Sequence, residues 1–263
     1  ETVKKLVDEF DKLSNQICTV GLGIPGFSSK ETGLVTNANS MWLNDKPFKK
    51  DLETALKREV KLMNDANCFT LSEAVDGAGK DYQSIFGIIV GTGFGGALSY
   101  KKEIIEGANQ IAGDWGHQPL PYPTKEEIET KINCPSMNCG RPLCAEQFMS
   151  GIGFKDVFNQ KNNTNFSSEE IVQLDLDGDP RANLELSLYE DRMARLMAVM
   201  IGIFDPDAII LGGGMSNIDR LYKNIPALIP KYTFSNKVIT KVIKNFHGDS
   251  SGVRGAAWLW NNE

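Results

Sequence analysis

An apolar run from Ser84 to Val90 ends in Gly91-Thr-Gly-Phe-Gly-Gly96 and resumes as Ala97-Leu-Ser-Tyr100. No other stretch restricts the fold as much. The run has the length of a strand, and glycines that close such a run mark a turn. The turn matches G-x-G-x-x-G, but a dinucleotide site needs a helix next, its N-terminus facing a pyrophosphate. A strand pattern follows instead, which disfavours a Rossmann fingerprint. Two readings stay open: a turn presenting backbone N–H groups to phosphate oxygens, and a plain tight β-hairpin turn. A second glycine run, Gly212-Gly-Gly214, separates the strand pattern Ala208 to Leu211 from a helix pattern around Leu221 to Ile229. Two glycine turns on separate lobes imply a nucleotide in the cleft between them.

The remaining patterns alternate. Val3, Leu6, Val7, Phe10 and Leu13 recur at helical spacing, and Cys18 to Ile24 reads as a strand stopped by Pro25-Gly26. A turn-rich segment runs from Ser28 to Pro47, a helix from Asp51 to Val60, and another from Cys68 to Val75, opened by Asn64-Asp-Ala-Asn67. Glu103 to Ile105 pairs with Ala97 to Tyr100 in a hairpin around Lys101-Lys102, and loops follow from Gly107. Ser167 and Glu170 form a capping box, a long helix spans Arg181 to Phe204, Val238 to Ile243 is a strand and Ser251 to Trp260 a helix. Such alternation predicts a mixed α/β fold in two lobes.

Composition excludes several function classes. With 41% hydrophobic and 24% charged residues the chain is neither disordered nor fibrous, and its net charge of −6 offers no basic field to nucleic acid or an anionic membrane. No apolar run reaches the roughly 20 residues of a membrane helix, and no signal-peptide pattern opens the chain. The five cysteines are odd in number and three fall within Cys134 to Cys144, the usage of a cytosolic thiol protein rather than a disulfide scaffold.

Three groups of side chains could carry chemistry. Asp65, between Asn64 and Asn67 at a helix start, is either part of an ordinary N-cap or a base poised beside a hydroxyl; local sequence favours the cap. His117 with Cys134, Cys139 and Cys144 forms a candidate Cys3His zinc site, structural because all four ligands are protein. Unrelated free cysteines are the alternative. Asp175-Leu-Asp-Gly-Asp179 is no calcium loop, since its glycine comes two positions early and Leu186 stands where the bidentate carboxylate belongs. His117 and His247 are the only histidines, and neither adjoins a nucleophile signature.

In order along the chain, Gly21-Leu-Gly-Ile-Pro-Gly26, Asn64-Asp-Ala-Asn-Cys68, the Gly91–Gly96 turn, Ala112-Gly-Asp-Trp-Gly-His117, the cysteine knuckle into Ala145-Glu146, and Leu211-Gly-Gly-Gly214 resemble the ROK family of bacterial sugar kinases and sugar-responsive repressors. Asn37 to Asn44, Ser72 to Ala78 and His247 to Trp260 are most similar to its fructokinases of the manno(fructo)kinase type. The resemblance implies a two-lobed, actin-like (ribonuclease-H-like) kinase fold with a cleft, the smaller lobe formed by residues 1–106 and 248–263 and the larger by 107–247. It also implies a cytoplasmic homodimer that phosphorylates a hexose with ATP and Mg²⁺, fructose at its 6-hydroxyl first. Glucose and N-acetylglucosamine are alternatives, and a non-catalytic, repressor-like sugar-binding protein is one of another class. Carried over residue by residue, Asp65 is the base, and Asn64, Asp114, His117 and Glu146 hold sugar hydroxyls. Gly91, Thr92, Gly93 and Gly95 meet the phosphates, and Gly212, Gly213 and Gly214 the adenosine.

Three departures accompany the resemblance. The family's opening strand with an Asp-x-Gly-Gly-Thr phosphate loop has no counterpart after Glu1, so the start is expected to lie inside the fold, with the sugar contacts after it. Asp114 stands where relatives carry Glu. The usual knuckle, C-x-C-G-x-x-G-C, has Met137 at its first Cys and Leu143 at its second Gly, which leaves Cys134 to supply the missing ligand.

Overall fold

A computed structural model describes residues 1–130, 132–135, 139–235 and 237–260. Helix α1 (Thr2–Ser14) and strand β1 (Val20–Ile24) lead into a small antiparallel hairpin, β2 (Phe27–Ser28) with β3 (Val35–Thr36). Helix α2 (Phe48–Leu56), strand β4 (Val60–Asn64) and helix α3 (Asp65–Val75) follow. Of the five apolar residues expected on one face of α1, Val3 and Val7 pack against Val20, Leu52, Leu56 and Val60, while Leu6, Phe10 and Leu13 are exposed.

Strand β4 departs from the sequence expectation, which carried a helix through to Val60. Lys57 ends α2 in the left-handed region (φ 54), and the chain then runs parallel to β1, from Val20 opposite Val60 to Ile24 opposite Asn64. Five residues give too few alternations to announce a strand whose partner lies forty positions upstream. The pairing matters for the site, because it delivers Asn64 and Asp65 to the carboxyl end of the sheet, where open α/β folds bind ligands.

The larger sheet has the order β7-β6-β5-β8-β9, formed by β5 (Ser84–Val90), β6 (Phe94–Tyr100), β7 (Glu103–Ile104), β8 (Ala208–Gly212) and β9 (Lys241–Lys244). β5 and β6 are the expected antiparallel pair, whereas β5, β8 and β9 run parallel. The two glycine turns therefore leave neighbouring strands of one sheet, not separate lobes. Likewise, the expected 106/107 boundary puts β5–β7 and β8–β9 in different lobes although they are hydrogen-bonded together. Pairing of strands over a hundred residues apart leaves no local mark in sequence.

Helices α4 (Lys125–Ile128), α5 (Ala145–Met149), α6 (Gly151–Asn162), α7 (Ser168–Leu176), α8 (Pro180–Phe204) and α9 (Arg220–Leu228) accompany this sheet. The Ser167/Glu170 capping box forms as expected, and α8 starts on an Asp179 cap with Pro180 in its first turn. Ile88, Phe148, Tyr189, Met193, Ile209 and Leu211 lie in the main core. Helix α10 (Ser251–Trp258) returns to α3 and β1 at a separation only glycine permits: a Cβ on Gly21 would overlap the Ala256 carbonyl oxygen, and one on Gly255 that of Cys68. Among the described residues no helix is long and apolar enough to cross a membrane.

Candidate active site

A cavity of about 580 Å³ lies between the carboxyl end of the β1–β4 pair and the β5–β6 turn, within the usual size range of small-molecule sites. Asn64, Asp65, Asp114, His117 and Glu146 line it, together with Gly91, Thr92, Gly93 and Gly95. Gly212, Gly213 and Gly214 do not; they lie beyond the end of β5, where a Cβ on Gly213 would strike the Val90 carbonyl.

The cap reading of this segment falls on Asn64, which leaves the Asp65 carboxylate at the cavity. Asn64 is the cap: its Oδ1 accepts from the Ala66 and Asn67 N–H groups (2.9 and 3.3 Å), and its Nδ2 donates to the Gly26 carbonyl (3.1 Å). Asp65 is the first helical residue, its Oδ1 accepting from Ala66 N–H at 2.8 Å. Its side chain reaches the cavity while protein surrounds that space. The resulting desolvation raises its pKa, the Asp114 charge adds to the rise, and the Ala66 N–H opposes it. Asp114 is raised in the same way by desolvation and by Glu146, against the attraction of His117.

The glycine turn is tied at both ends to the start of α5 and α6. Gly151 N–H donates to the Gly91 carbonyl at 2.7 Å, and Phe94 N–H donates to Glu146 Oε2 at 3.0 Å. Glu146 is almost fully buried, and its own N–H donates to the Gly116 carbonyl at 2.8 Å. Between them Trp115 packs edge-on to Phe86 and stacks on Phe94, at centroid distances of 4.7 and 4.9 Å. The carboxylate, the glycine turn and the Gly113–His117 loop thus form one connected block.

His117, Cys134, Cys139 and Cys144 converge, with one ligand atom from each inside a 4.8 Å span. Cys144 Sγ lies 3.3 Å from Cys134 Sγ and 3.7 Å from His117 Nδ1. A tetrahedral zinc with Zn–S near 2.3 Å has ligand–ligand edges of about 3.8 Å, so the donor set and spacing fit that ion. Nδ1 faces the cluster, which leaves Nε2 as the ring atom for the cavity. Cys134 Sγ lies among these ligand atoms, as the fourth-donor role expected of it requires. Met137, the other departure there, lies outside the described residues. Leu143 adopts φ 54, the left-handed conformation its glycine counterpart would take without strain.

A buried ion network holds the loop that precedes the knuckle. Glu127, on α4, accepts from Arg192 Nε at 2.8 Å and from Arg195 Nη2 at 2.7 Å, and Arg192 also bonds Glu185 at 2.8 Å. Sequence reasoning missed this network, since its acids and arginines are ordinary residues until the fold brings them together. It also left Asn37, Asn39 and Gln110 without roles, although all three line the cavity. The quoted Asn37-Ala-Asn segment was the signal for the first two. Gln110 Oε1 accepts from Lys30 N–H at 3.0 Å, and Lys30 Nζ pairs with Glu106 at 2.7 Å, so two loops meet at the cavity's rim.

A model of the ROK family matches residues 1–263. The N-acetyl-D-glucosamine kinase of Vibrio cholerae serotype O1 is 38% identical over 98% of this chain and 86% of its own length. That of Haemophilus influenzae is 37% identical over the same shares. Among solved structures, the ROK hexokinase from Thermus thermophilus superposes with a TM-score of 0.83 at 23% identity, covering 97% of this chain and 83% of that one. The Streptomyces griseus ROK glucokinase, solved with glucose and AMPPNP, gives 0.79 at 22%, covering 98% and 88%. The two structures carry the fold alone: the two-lobed, actin-like α/β architecture.

Proposed function

The chain belongs to the ROK family, and from that membership we propose that it is a sugar kinase transferring the terminal phosphoryl group of ATP to the 6-hydroxyl of N-acetyl-D-glucosamine. The observation that carries the choice of sugar is the set of N-acetyl-D-glucosamine kinases 36–38% identical over 98% of the chain. They favour a sugar that the sequence reading placed behind fructose.

In this reading Asp65 accepts the proton of the attacking hydroxyl. Phosphoryl transfer asks the protein for alignment, charge stabilisation and a proton acceptor rather than covalent chemistry. A carboxylate raised by desolvation is a stronger base than one in water, and the β1–β4 pairing that ends at Asn64 brings it to the cavity edge. Asp114, His117 and Glu146 hold sugar hydroxyls, and the Gly91–Gly95 backbone lies against the phosphates. Mg²⁺, carried with ATP, neutralises phosphate charge. His117, Cys134, Cys139 and Cys144 would hold a zinc ion, whose bond to Nδ1 would fix the ring of His117 and so the direction of Nε2. Val199 and Ile203, exposed on α8, support the homodimer as its contact face, which sedimentation at micromolar concentration tests; Met193 and Met197 of the same stretch are core.

Initial rates with N-acetylglucosamine, glucose, mannose and fructose test the assignment. We expect kcat/KM for N-acetylglucosamine to lead by tenfold or more. A lead for fructose restores the first expectation, and sugar binding without ADP release by a chain that carries the family's opening phosphate-loop strand identifies a non-catalytic member.

A further inference from the structure

We infer that the ring of Phe246 is the surface against which the base of the nucleotide co-substrate lies, an assignment that rests on the kinase reading. β5, β8 and β9 are parallel, so the Gly91 turn, the Gly212–Gly214 turn and the segment after Lys244 leave the same edge. Ligands of open α/β sheets lie outside that carboxyl edge. With its phosphates at the Gly91 turn, a nucleotide that extends along this edge crosses β8 to β9. Two strand spacings make about 10 Å. Gly91 and Gly214 are uncrowded, since a Cβ on either would meet nothing within 4 Å.

Phe246 stands at the far end of that path. Leu211 is opposite Lys244 in the ladder, and the next N–H, of Asn245, continues it with a 3.0 Å bond to the Leu211 carbonyl. Phe246 therefore leaves the sheet beside the glycine triplet. The residue is 72% exposed, although the backbone that carries it is tied by hydrogen bonds on both sides. Asn245 Nδ2 donates to the Leu211 carbonyl and to Ser216 Oγ (2.9 and 3.2 Å). Glu73, fully buried, accepts from the Phe246 and His247 N–H groups at 3.0 and 3.3 Å and from the Ser251 hydroxyl at 2.7 Å. The His247 ring meets Phe246 edge to face at 5.0 Å, and His247 Nε2 donates to Asp76 Oδ1 at 3.0 Å.

A lone apolar residue on a surface needs no explanation. An aromatic ring left in water by a loop that spends a buried carboxylate on its own backbone does need one, because such anchoring is what makes a contact pre-organised. Two segments whose sequence stood out, Ser72 to Ala78 and His247 to Trp260, are the two halves of this anchor.

Calorimetric titration of wild type, Phe246→Ala and Phe246→Tyr with ADP, inorganic tripolyphosphate and N-acetylglucosamine tests the assignment. Phe246→Ala should weaken ADP roughly tenfold, within the usual worth of base–aromatic stacking. It should leave tripolyphosphate and sugar within twofold, and Phe246→Tyr should keep ADP within threefold. Unchanged ADP affinity in Phe246→Ala overturns the inference while leaving the kinase reading intact. So does an equal loss of ADP and tripolyphosphate, or a tyrosine variant as weak as the alanine one. A wild-type protein that binds sugar but no adenine nucleotide removes both.

Discussion

The two walls of the cavity are held in place by different means. Asn64, Asp65 and the glycine turn sit at the ends of paired strands, and their positions follow from backbone hydrogen bonding. The facing wall, from Gly107 to Cys144, contains one four-residue helix among the described residues, yet it carries Asp114, His117 and the cysteines. Side chains fix that wall: the Glu127 ion network, Trp115 between two phenylalanines, and the Cys3His cluster. Where the backbone positions a residue, chemistry can be removed without disturbing geometry. Where side chains do the positioning, removing one disturbs the wall itself.

The largest effect should come from removing chemistry alone. Asp65→Asn keeps size and helix position, so sugar affinity should stay within a few-fold while turnover falls roughly 10²- to 10⁴-fold, the worth of a positioned base. The pH profile sharpens the result. The base works deprotonated and its pKa is raised above 3.8 by desolvation, so wild-type kcat/KM should fall as pH drops through a midpoint above that value. The Asn variant should lose this limb. An unchanged limb would assign it to another group, with Asp114, also raised, the next to replace.

On the other wall, Glu127→Ala should damage structure before chemistry. It leaves Arg192 and Arg195, both almost fully buried, without their shared carboxylate. Breaking a buried pair from one side costs about 3–5 kcal/mol. Chemical denaturation should show that loss, and sugar binding should weaken with it because α4 lies between His117 and Cys134. Stability lost at unchanged sugar affinity would show that the knuckle holds this wall without α4.

The same division explains what the sequence disclosed. The glycine turn, the capping box and the long helix α8 are local patterns, and each is read within one continuous stretch of chain. The Cys3His group was legible too, because metal ligands are rare residue types and three of them crowd together. β4 was lost because five mixed residues resemble the end of a helix. The β5–β8–β9 pairing and the Glu127 network were lost because they join residues far apart in sequence, through groups common everywhere else.

Metal removal is the next smaller test. Chelation should weaken N-acetylglucosamine binding about tenfold, the worth of one misdirected hydrogen bond to a charged or oriented partner, at a concentration that leaves the thermal transition of the rest of the chain in place. Elemental analysis of protein purified without chelator should find about one zinc per chain. Cys134→Ser should lower that content and reproduce the weakened binding. Full zinc content in Cys134→Ser would return Cys134 to the free cysteines and leave the fourth position to another donor.

The smallest expected effect concerns the backbone-built wall, and it asks how much of that wall is one side chain. Asn64 does two things: Oδ1 caps α3, and Nδ2 ties the helix start to the Gly26 carbonyl. Replacing a cap residue by alanine costs about 1 kcal/mol, whereas serine still caps. Asn64→Ser therefore removes the Gly26 tie and spares the cap, and Asn64→Ala removes both. If strand pairing positions Asp65, both variants should keep turnover within about threefold. Only Asn64→Ala should then lose roughly 1 kcal/mol in denaturation, serine losing a few tenths. A serine variant that folds as well as wild type but loses tenfold in turnover would reverse the comparison. Asp65 would then depend on a single side-chain contact to the Pro25-Gly26 turn, as His117 depends on its cysteines.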